Sequence, residues 1–327
     1  MKKFIELLKG ELKRTDYKNK TKIALDANNF SLEKSRFKKI KSELFKKRYV
    51  FVDGGNANIF GNGALSIDFL RVAKVIYEKD KKLSLKEVTR KDFVLITKIK
   101  NKKYTSKLFD YDSNELIEEF LIYPNHPSLK YGRDLMPIAS TASIIRRIME
   151  IKEFYNQKKE SILIIDGNLE YKKEPIKPYM KKLFDITKNN NHNLVGISKT
   201  TRLITDSDEA IQTFLKRIGL KNSFILSSEL KDYNLYFTNF HPRSKIFRTD
   251  IYKENKDNSD VIFSSLNQIS QDSSFIGYPY GLIKVDEFAR ITNREISLMK
   301  SFINTFSKDL NKEESNNTHS ILDTMKF

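Results

Sequence analysis

Two short apolar runs in this chain stop at the same dipeptide. Tyr49-Val50-Phe51-Val52 meets Asp53-Gly54, and Ile162-Leu163-Ile164-Ile165 meets Asp166-Gly167. Short apolar runs bounded by turn residues predict strands buried on both faces, which requires a sheet covered by helices. Between them, Ile138, Ala142, Ile145 and Met149 form one helical stripe from Pro137 to about Tyr155, and Pro137 suits a first helical position. Residues 176–188 again have helical spacing, and Leu194-Val195-Gly196-Ile197 is a third buried run. Strands that alternate with helices in this way predict parallel pairing.

Upstream, Ala64 to Tyr77, Phe93 to Ile99 and Tyr104 to Phe109 predict strands, with tight turns at Gly61-Asn62-Gly63 and Asn101-Lys102. Short turns predict antiparallel neighbours. The expected fold is therefore α/β, a ribonuclease H-like mixed sheet flanked by helices. Asp53 is expected to end its strand in a turn. Residues 207–217 read as a helix, 222–266 as a strand-rich stretch with a loop at Asp257-Asn258-Ser259, and 284–306 as one last helix opened by Asp286. Residues 1–47 read as a basic, amphipathic helical extension, with Ile5, Leu8 and Leu12, then Phe37, Ile40 and Leu44, at helical spacing. A main domain at 48–307 and a polar tail at 308–327 complete the expected division.

Composition narrows the chemistry. The chain of 327 residues has no cysteine, which excludes disulfides, thiolate zinc sites, iron–sulfur clusters and cysteine nucleophiles. Only four histidines are present, which argues against a multi-histidine metal site. No apolar run approaches the roughly 18 residues a membrane span needs, and Met1-Lys2-Lys3-Phe4-Ile5-Glu6 is no signal peptide, so a cytoplasmic protein is expected. The net charge is +18, of which +10 comes from the sixteen Lys and Arg against six Asp and Glu in residues 1–50. Such an excess suggests an anionic partner, most often nucleic acid, although an AT-rich genome also enriches Lys and Asn, and 26 Asn are present.

The chemistry falls on the strand ends. If the strands of Asp53 and Asp166 are neighbours, both carboxylates point into one crevice, and each following glycine keeps that space open. Two close carboxylates repel, and a hard divalent cation relieves the repulsion. Oxygen ligands suit Mg2+ or Mn2+, and two such ions can drive phosphodiester cleavage. A turn at Asp-Gly is the plainer alternative. Glu150 lies beside the helical stripe and could reach over the sheet edge, with Glu153 as a competitor and an ordinary pair with Arg146 as the alternative. Asp286 is a fourth candidate, or simply a dipole-stabilising first-turn carboxylate. Lys199, just past a strand end, could hold a scissile phosphate or lie free on the surface. His126 and His241 are assigned no role.

The motifs Phe51-Val52-Asp53-Gly54-Gly55, Leu163-Ile164-Ile165-Asp166-Gly167-Asn168-Leu169, Val195-Gly196-Ile197-Ser198-Lys199, and Gly277-Tyr278-Pro279 followed by Val285-Asp286-Glu287-Phe288-Ala289-Arg290-Ile291 resemble, in order and spacing, the NurA nuclease family. The resemblance spans roughly residues 45–307. It implies a ribonuclease H-like fold and Mn2+- or Mg2+-dependent exo- or endonuclease activity on DNA, with two ions and 5′–3′ polarity as the expectation. It also implies a homodimer docking on a HerA-type hexameric ATPase in the resection of DNA double-strand breaks. Asp53 and Asp166 match the family's metal-binding Asp-Gly motifs, Glu150 its helical Glu, Asp286 its last acidic or His position, and Lys199 its Ser-Lys. Gly55-Asn56 departs from the Ser or Thr that members often carry there, and residues 1–47 match nothing in the pattern.

Two rivals remain. An actin-like or sugar-kinase-type ATPase would read Asp53-Gly54-Gly55 as a phosphate loop, but Asp166-Gly167-Asn168 lacks the second loop's glycine and the chain has only 11 Gly. A non-catalytic DNA clamp or motor-docking subunit would have no need of paired carboxylates.

Overall fold

The run at 49–52 forms a buried strand, but that strand does not stop at Asp53. In a computed structural model, which describes residues 3–7, 19–23, 30–42, 46–79, 83–130 and 132–306, β2 spans Lys47–Gly61. It pairs antiparallel along almost its whole length with β3 (Leu65–Lys79), which pairs with β4 (Leu83–Lys100). Pairing with β3 carries the backbone straight through Asp53-Gly54-Gly55, so the expected turn is absent there. The hairpin from β4 to β5 (Lys103–Asp110) turns at Asn101 and Lys102, both with positive φ (51° and 60°), as a two-residue turn of matching twist demands. An edge strand β6 (Leu116–Ile122), not anticipated from the sequence, completes this side.

On its other side β2 lies parallel to β7 (Ile162–Asp166), which lies parallel to β8 (Asn193–Ser198). Beyond β8 come β11 (Phe247–Tyr252), β10 (Tyr233–Asn239), β9 (Ser223–Glu229) and the two-residue β1 (Lys38–Lys39). Among the described residues this makes one mixed sheet of eleven strands, ordered β1-β9-β10-β11-β8-β7-β2-β3-β4-β5-β6.

Helices cover both faces. Val50, Val52, Leu163 and Ile165 face α1 (Ser140–Lys152) and α2 (Lys177–Asn189). Tyr49, Phe51, Ile162 and Ile164 face α4 (Ser259–Gln268) and α5 (Tyr280–Ala289). A third apolar cluster packs α3 (Ile211–Arg217) against β9 and β10. Ile144, Ile145 and Ile148 of α1 are at most 1% exposed, and each such burial is worth roughly 1.5–3 kcal/mol.

Three expectations are corrected. The stripe of Phe37 and Ile40 is not helical: Lys34–Arg36 is a 3-10 turn and Lys38–Lys39 pairs with Phe224 and Ser223 of β9. Residues 3–7 are helical, whereas Leu8, Leu12, Leu44 and the tail 308–327 lie outside the described residues. The strand-rich stretch ends at Tyr252, and Asp257-Asn258-Ser259 is no loop, because a 3-10 turn at Lys253–Asn258 runs into α4. Finally, 284–306 is two helices, α5 and α6 (Asn293–Phe306). Thr292 and Glu295 build a capping box: Glu295 Oε2 accepts from the Thr292 amide at 2.7 Å, and Thr292 Oγ1 accepts from the Glu295 amide at 3.3 Å. That box starts a new helix, and it leaves Asp286 inside α5 rather than at a first turn.

Candidate active site

Val52 pairs with Ile165 in the parallel β2–β7 ladder, so Asp53 and Asp166 stand level one residue further on. Strand alternation puts both on the face of Phe51 and Ile164, beneath α5. β7 ends there, in a turn at Gly167 with φ of 109°, while β2 continues. Past Val52, β2 therefore has no β7 partner, and the sheet has a notch at its centre.

Glu150 enters this notch from the opposite face. A Cβ at Gly54 would lie 2.8 Å from Glu150 Oε1 and 2.9 Å from Arg146 Cγ, so the glycine is there to admit α1, not to turn the chain. Gly55 does the same on the other face, where a Cβ would lie 2.5 Å from the Ala289 carbonyl oxygen of α5. Glu150 is buried and bound by two arginines, Arg146 and Arg147, the latter at 2.9 Å. Arg146 also donates to the Gly54 carbonyl at 2.7 Å. The helical pair with Arg146 thus exists, and it is part of a clamp that holds α1 to β2.

Asp53, Glu150 and Asp166 line one cleft of about 700 Å³, with Arg146, Arg147 and Lys199 in its walls. Burial, then the charges of Glu150 and Asp166, push the Asp53 carboxyl up to about 7, against the opposing pull of the Gly54 amide, which donates to it at 2.8 Å. Lys199, half exposed, contacts Asp166 Oδ2 at 3.2 Å and sits 5.0 Å from the Tyr278 ring centre. Asp286 lines a smaller cleft of about 220 Å³ whose shared wall is Asp53. It is 46% exposed and pairs with Arg290 at 3.0 Å. Glu153 faces away, paired with Lys74 and Lys91.

Tyr278 is the residue that sequence reasoning missed as a site member. Its hydroxyl is buried with no hydrogen-bond partner of good geometry. Burial and the charges of Asp166, Asp53 and Asp286 push its pKa far above the usual phenol value, so the phenol stays protonated beside three carboxylates. The motif Gly277-Tyr278-Pro279 was the only available signal.

Among the described residues no three carboxylate or histidine side chains converge as a finished metal cage. Asp53 and Asp166 nevertheless fit a hard cation. They are level and oxygen-only, and burial together with the charges of Glu150 and Asp166 holds a proton on Asp53 that a cation would displace. Glu150 and Asp286 are committed to arginines and would have to exchange those partners to join them.

A pH dependence follows. Unfolded, an Asp titrates near 3.8, whereas Asp53 in the fold keeps its proton to about 7. Across that window the folded state binds the extra proton, so this group's contribution to stability falls as pH rises. Melting temperatures of the metal-free protein from about pH 5 to pH 8 should fall more steeply for the natural chain than for Asp53→Asn. Parallel slopes would refute the assignment. Added Mn2+ should stabilise the natural chain more at the upper end of that range, where no proton competes.

A family model described as the NurA domain matches residues 47–291. Among solved structures, the NurA nuclease from Sulfolobus solfataricus is 12% identical over 84% of this chain and 88% of its own, with a TM-score of 0.49. A structure of NurA bound to dAMP and manganese is 8% identical over 80% and 88%, with a TM-score of 0.44. An Aquifex aeolicus Argonaute is 14% identical over 76% of this chain and 28% of its own, with a TM-score of 0.33. No curated protein matches the sequence.

Proposed function

Because this chain belongs to the NurA family, which it matches over residues 47–291, we propose that it is a divalent-metal-dependent DNA nuclease. The observation that carries the proposal is the level pair of Asp53 and Asp166 at the notch between β2 and β7, inside a basic wall. Mn2+ or Mg2+, as two ions, would be held by Asp53 and Asp166, with Glu150 and Asp286 as further ligands. Bound there, the metal would supply Lewis-acid polarisation of the phosphate and acidify the attacking water.

The protein's own groups do the rest. Lys199, on the far side of Asp166, neutralises charge on the scissile phosphate. Arg146 and Arg147 hold Glu150 at the notch until a cation competes for it. The Tyr278 hydroxyl, kept protonated, donates to whichever carboxylate oxygen faces it. Lys199→Ala should lower kcat by about 10–100-fold while shifting KM less, because its charge matters most as the phosphate gains charge. Equal kcat in the two proteins would remove Lys199 from the reaction.

The strand order β4-β3-β2-β7-β8, antiparallel on one side of β2 and parallel on the other, supports a ribonuclease H-like reading of residues 48–307. Family membership supports homodimerisation, docking on a HerA-type hexameric ATPase, and 5′–3′ end resection in double-strand break repair. The excess of basic residues in 1–47 would serve DNA contact, dimer contact or ATPase docking. Among the described residues no helix is long and apolar enough to cross a membrane.

The test is direct. Linear DNA incubated with the pure protein should be lost with Mn2+ and preserved with EDTA, with or without ATP. ATP hydrolysis by the isolated chain, or intact DNA at every Mn2+ concentration, would overturn the reading in favour of an ATPase or a non-catalytic DNA clamp.

A further inference from the structure

A second cleft, about 1130 Å³, is larger than the one that holds the carboxylates. It opens beside that one, and the two share Asn168, Glu170, Tyr171, Lys172, Ser198 and Thr200 in their walls. From that junction it extends past the loop after β8 to the first half of α2 and the turn between β9 and β10. Together the two clefts form one trough that leads away from Asp166.

The trough is lined with cations. Lys177 and Lys181 come from α2, Arg202 from the loop after β8, and Lys231 from the β9–β10 turn, against Glu170 and Asp232 as the acidic lining. Lys181, Arg202 and Lys231 form no salt bridge among the described residues, and the charge of Lys181 acts on the exposed carboxylate of Glu174. Arg248 forms part of the wall. It is 8% exposed, and its Nε and Nη2 are bound by Asp250 at 2.9 Å each. Cations gathered in a recess with low-dielectric walls focus a positive potential and attract a polyanion.

One aromatic side chain stands at the junction. The Tyr171 hydroxyl donates to Asp232 at 2.6 Å, and its ring meets Phe184 edge-on at 5.6 Å. A ring fixed at both ends offers a stacking surface without a large loss of side-chain freedom. Basic groove and fixed aromatic are the two elements that single-strand binding requires. A duplex, whose base faces are covered by their neighbours, would gain nothing from the aromatic.

We propose that this trough carries a single nucleic-acid strand to or from the carboxylate notch, with phosphates on Lys181, Arg202 and Lys231 and a base on Tyr171; this rests on the nuclease reading above. The strand is therefore gripped several nucleotides from the scissile bond.

The experiment measures binding and chemistry separately. Fluorescence anisotropy with a labelled oligothymidylate, in EDTA, compares the natural protein with the triple variant Lys181→Gln, Arg202→Gln, Lys231→Gln and with Tyr171→Ala and Tyr171→Phe, each checked for a natural melting temperature. The triple variant should bind about tenfold or more weakly, and its slope of log K against log salt should be shallower by about 2, at roughly 0.7 per lost contact. Tyr171→Ala should weaken binding about tenfold or more, with Tyr171→Phe closer to the natural protein. Unchanged affinity and salt slope in the triple variant overturn the proposal, as does equal loss for a duplex of the same length bound more tightly. Hydrolysis of a thymidine nitrophenyl phosphodiester by the natural protein with Mn2+ tests the nuclease reading alone. If that fails while the binding losses hold, the trough stands and the nuclease reading falls.

Discussion

Asparagine in place of Asp166 should cut Mn2+-dependent hydrolysis of linear DNA by about a thousandfold, and Asp53→Asn should do the same. Both substitutions keep the shape of the side chain and remove the charge that a cation needs. Asp166 lies at the end of β7 and is only partly exposed, so the amide fits without repacking. The double variant should be little worse than either single one, because two groups that serve one cation are lost together when the first is removed. Single-turnover rates at saturating Mn2+ measure this. Multiplying effects, a double variant a millionfold down, would mean that the carboxylates act independently and that no shared cation exists. The same variants should melt no lower than the natural protein without metal, since each takes a carboxylate out of a site where burial and the charges of Glu150 and Asp166 oppose the ionisation of Asp53.

Gly281→Ala should be among the most damaging single-methyl changes in the described fold. The added Cβ would lie 2.2 Å from the Phe51 ring, which is 1% exposed and packed beneath α5. Neither side can yield cheaply: the ring is edge-on to Tyr77 at 6.2 Å, and α5 is bounded by Tyr278 before it and the Arg290 turn after it. Overpacking of this kind costs about 1–3 kcal/mol, and here it also lifts the helix that carries Asp286. Urea unfolding should show a lower midpoint at unchanged slope, together with reduced nuclease activity. Gly63→Ala is the control, because Gly63 has φ of 79° but open space around it. Its cost is backbone strain alone, about 1 kcal/mol, with activity intact. If Gly281→Ala unfolds at the natural midpoint, the contact between α5 and β2 is looser than described.

How legible this was varies with the physics of each element. The strands at 49–52, 162–165 and 194–197 are apolar on both faces because helices cover both faces, and that pattern is visible without neighbours. The length of β2 is not. Gly54-Gly55-Asn56-Ala57-Asn58 has no strand signal of its own, and β3 holds it extended across a ladder that runs to Gly61. Lys38–Lys39 reads as solvated helix because nothing local shows that β9 has an open edge. β6 buries only Phe120 and Ile122 and exposes Leu116, Ile117 and Leu121, so its alternation is blurred. The break between α5 and α6 was legible, since Thr292 and Glu295 have capping-box spacing.

At the site, Asp53 and Asp166 could be singled out because each follows a buried run. The approach of Glu150 to β2 depends on the missing side chain at Gly54, and the burial of the Tyr278 hydroxyl beside Asp166 on the packing of α5. Neither can be inferred from spacing.

The placement of Asp53 in the interior of a long strand limits how this gene can vary. A residue inserted at a loop such as 112–114 lengthens a connection and leaves the ladder alone. A residue inserted between Lys47 and Val52 would move every later side chain of β2 to the opposite face unless a bulge absorbed it. Asp53 would then point at α1 and Gly54 at α5, exchanging the acid and the gap it depends on. Length variation among functional versions of this chain should therefore collect in the turns after Gly61, Lys79 and Asp110 and be absent from β2 as far as Gly55.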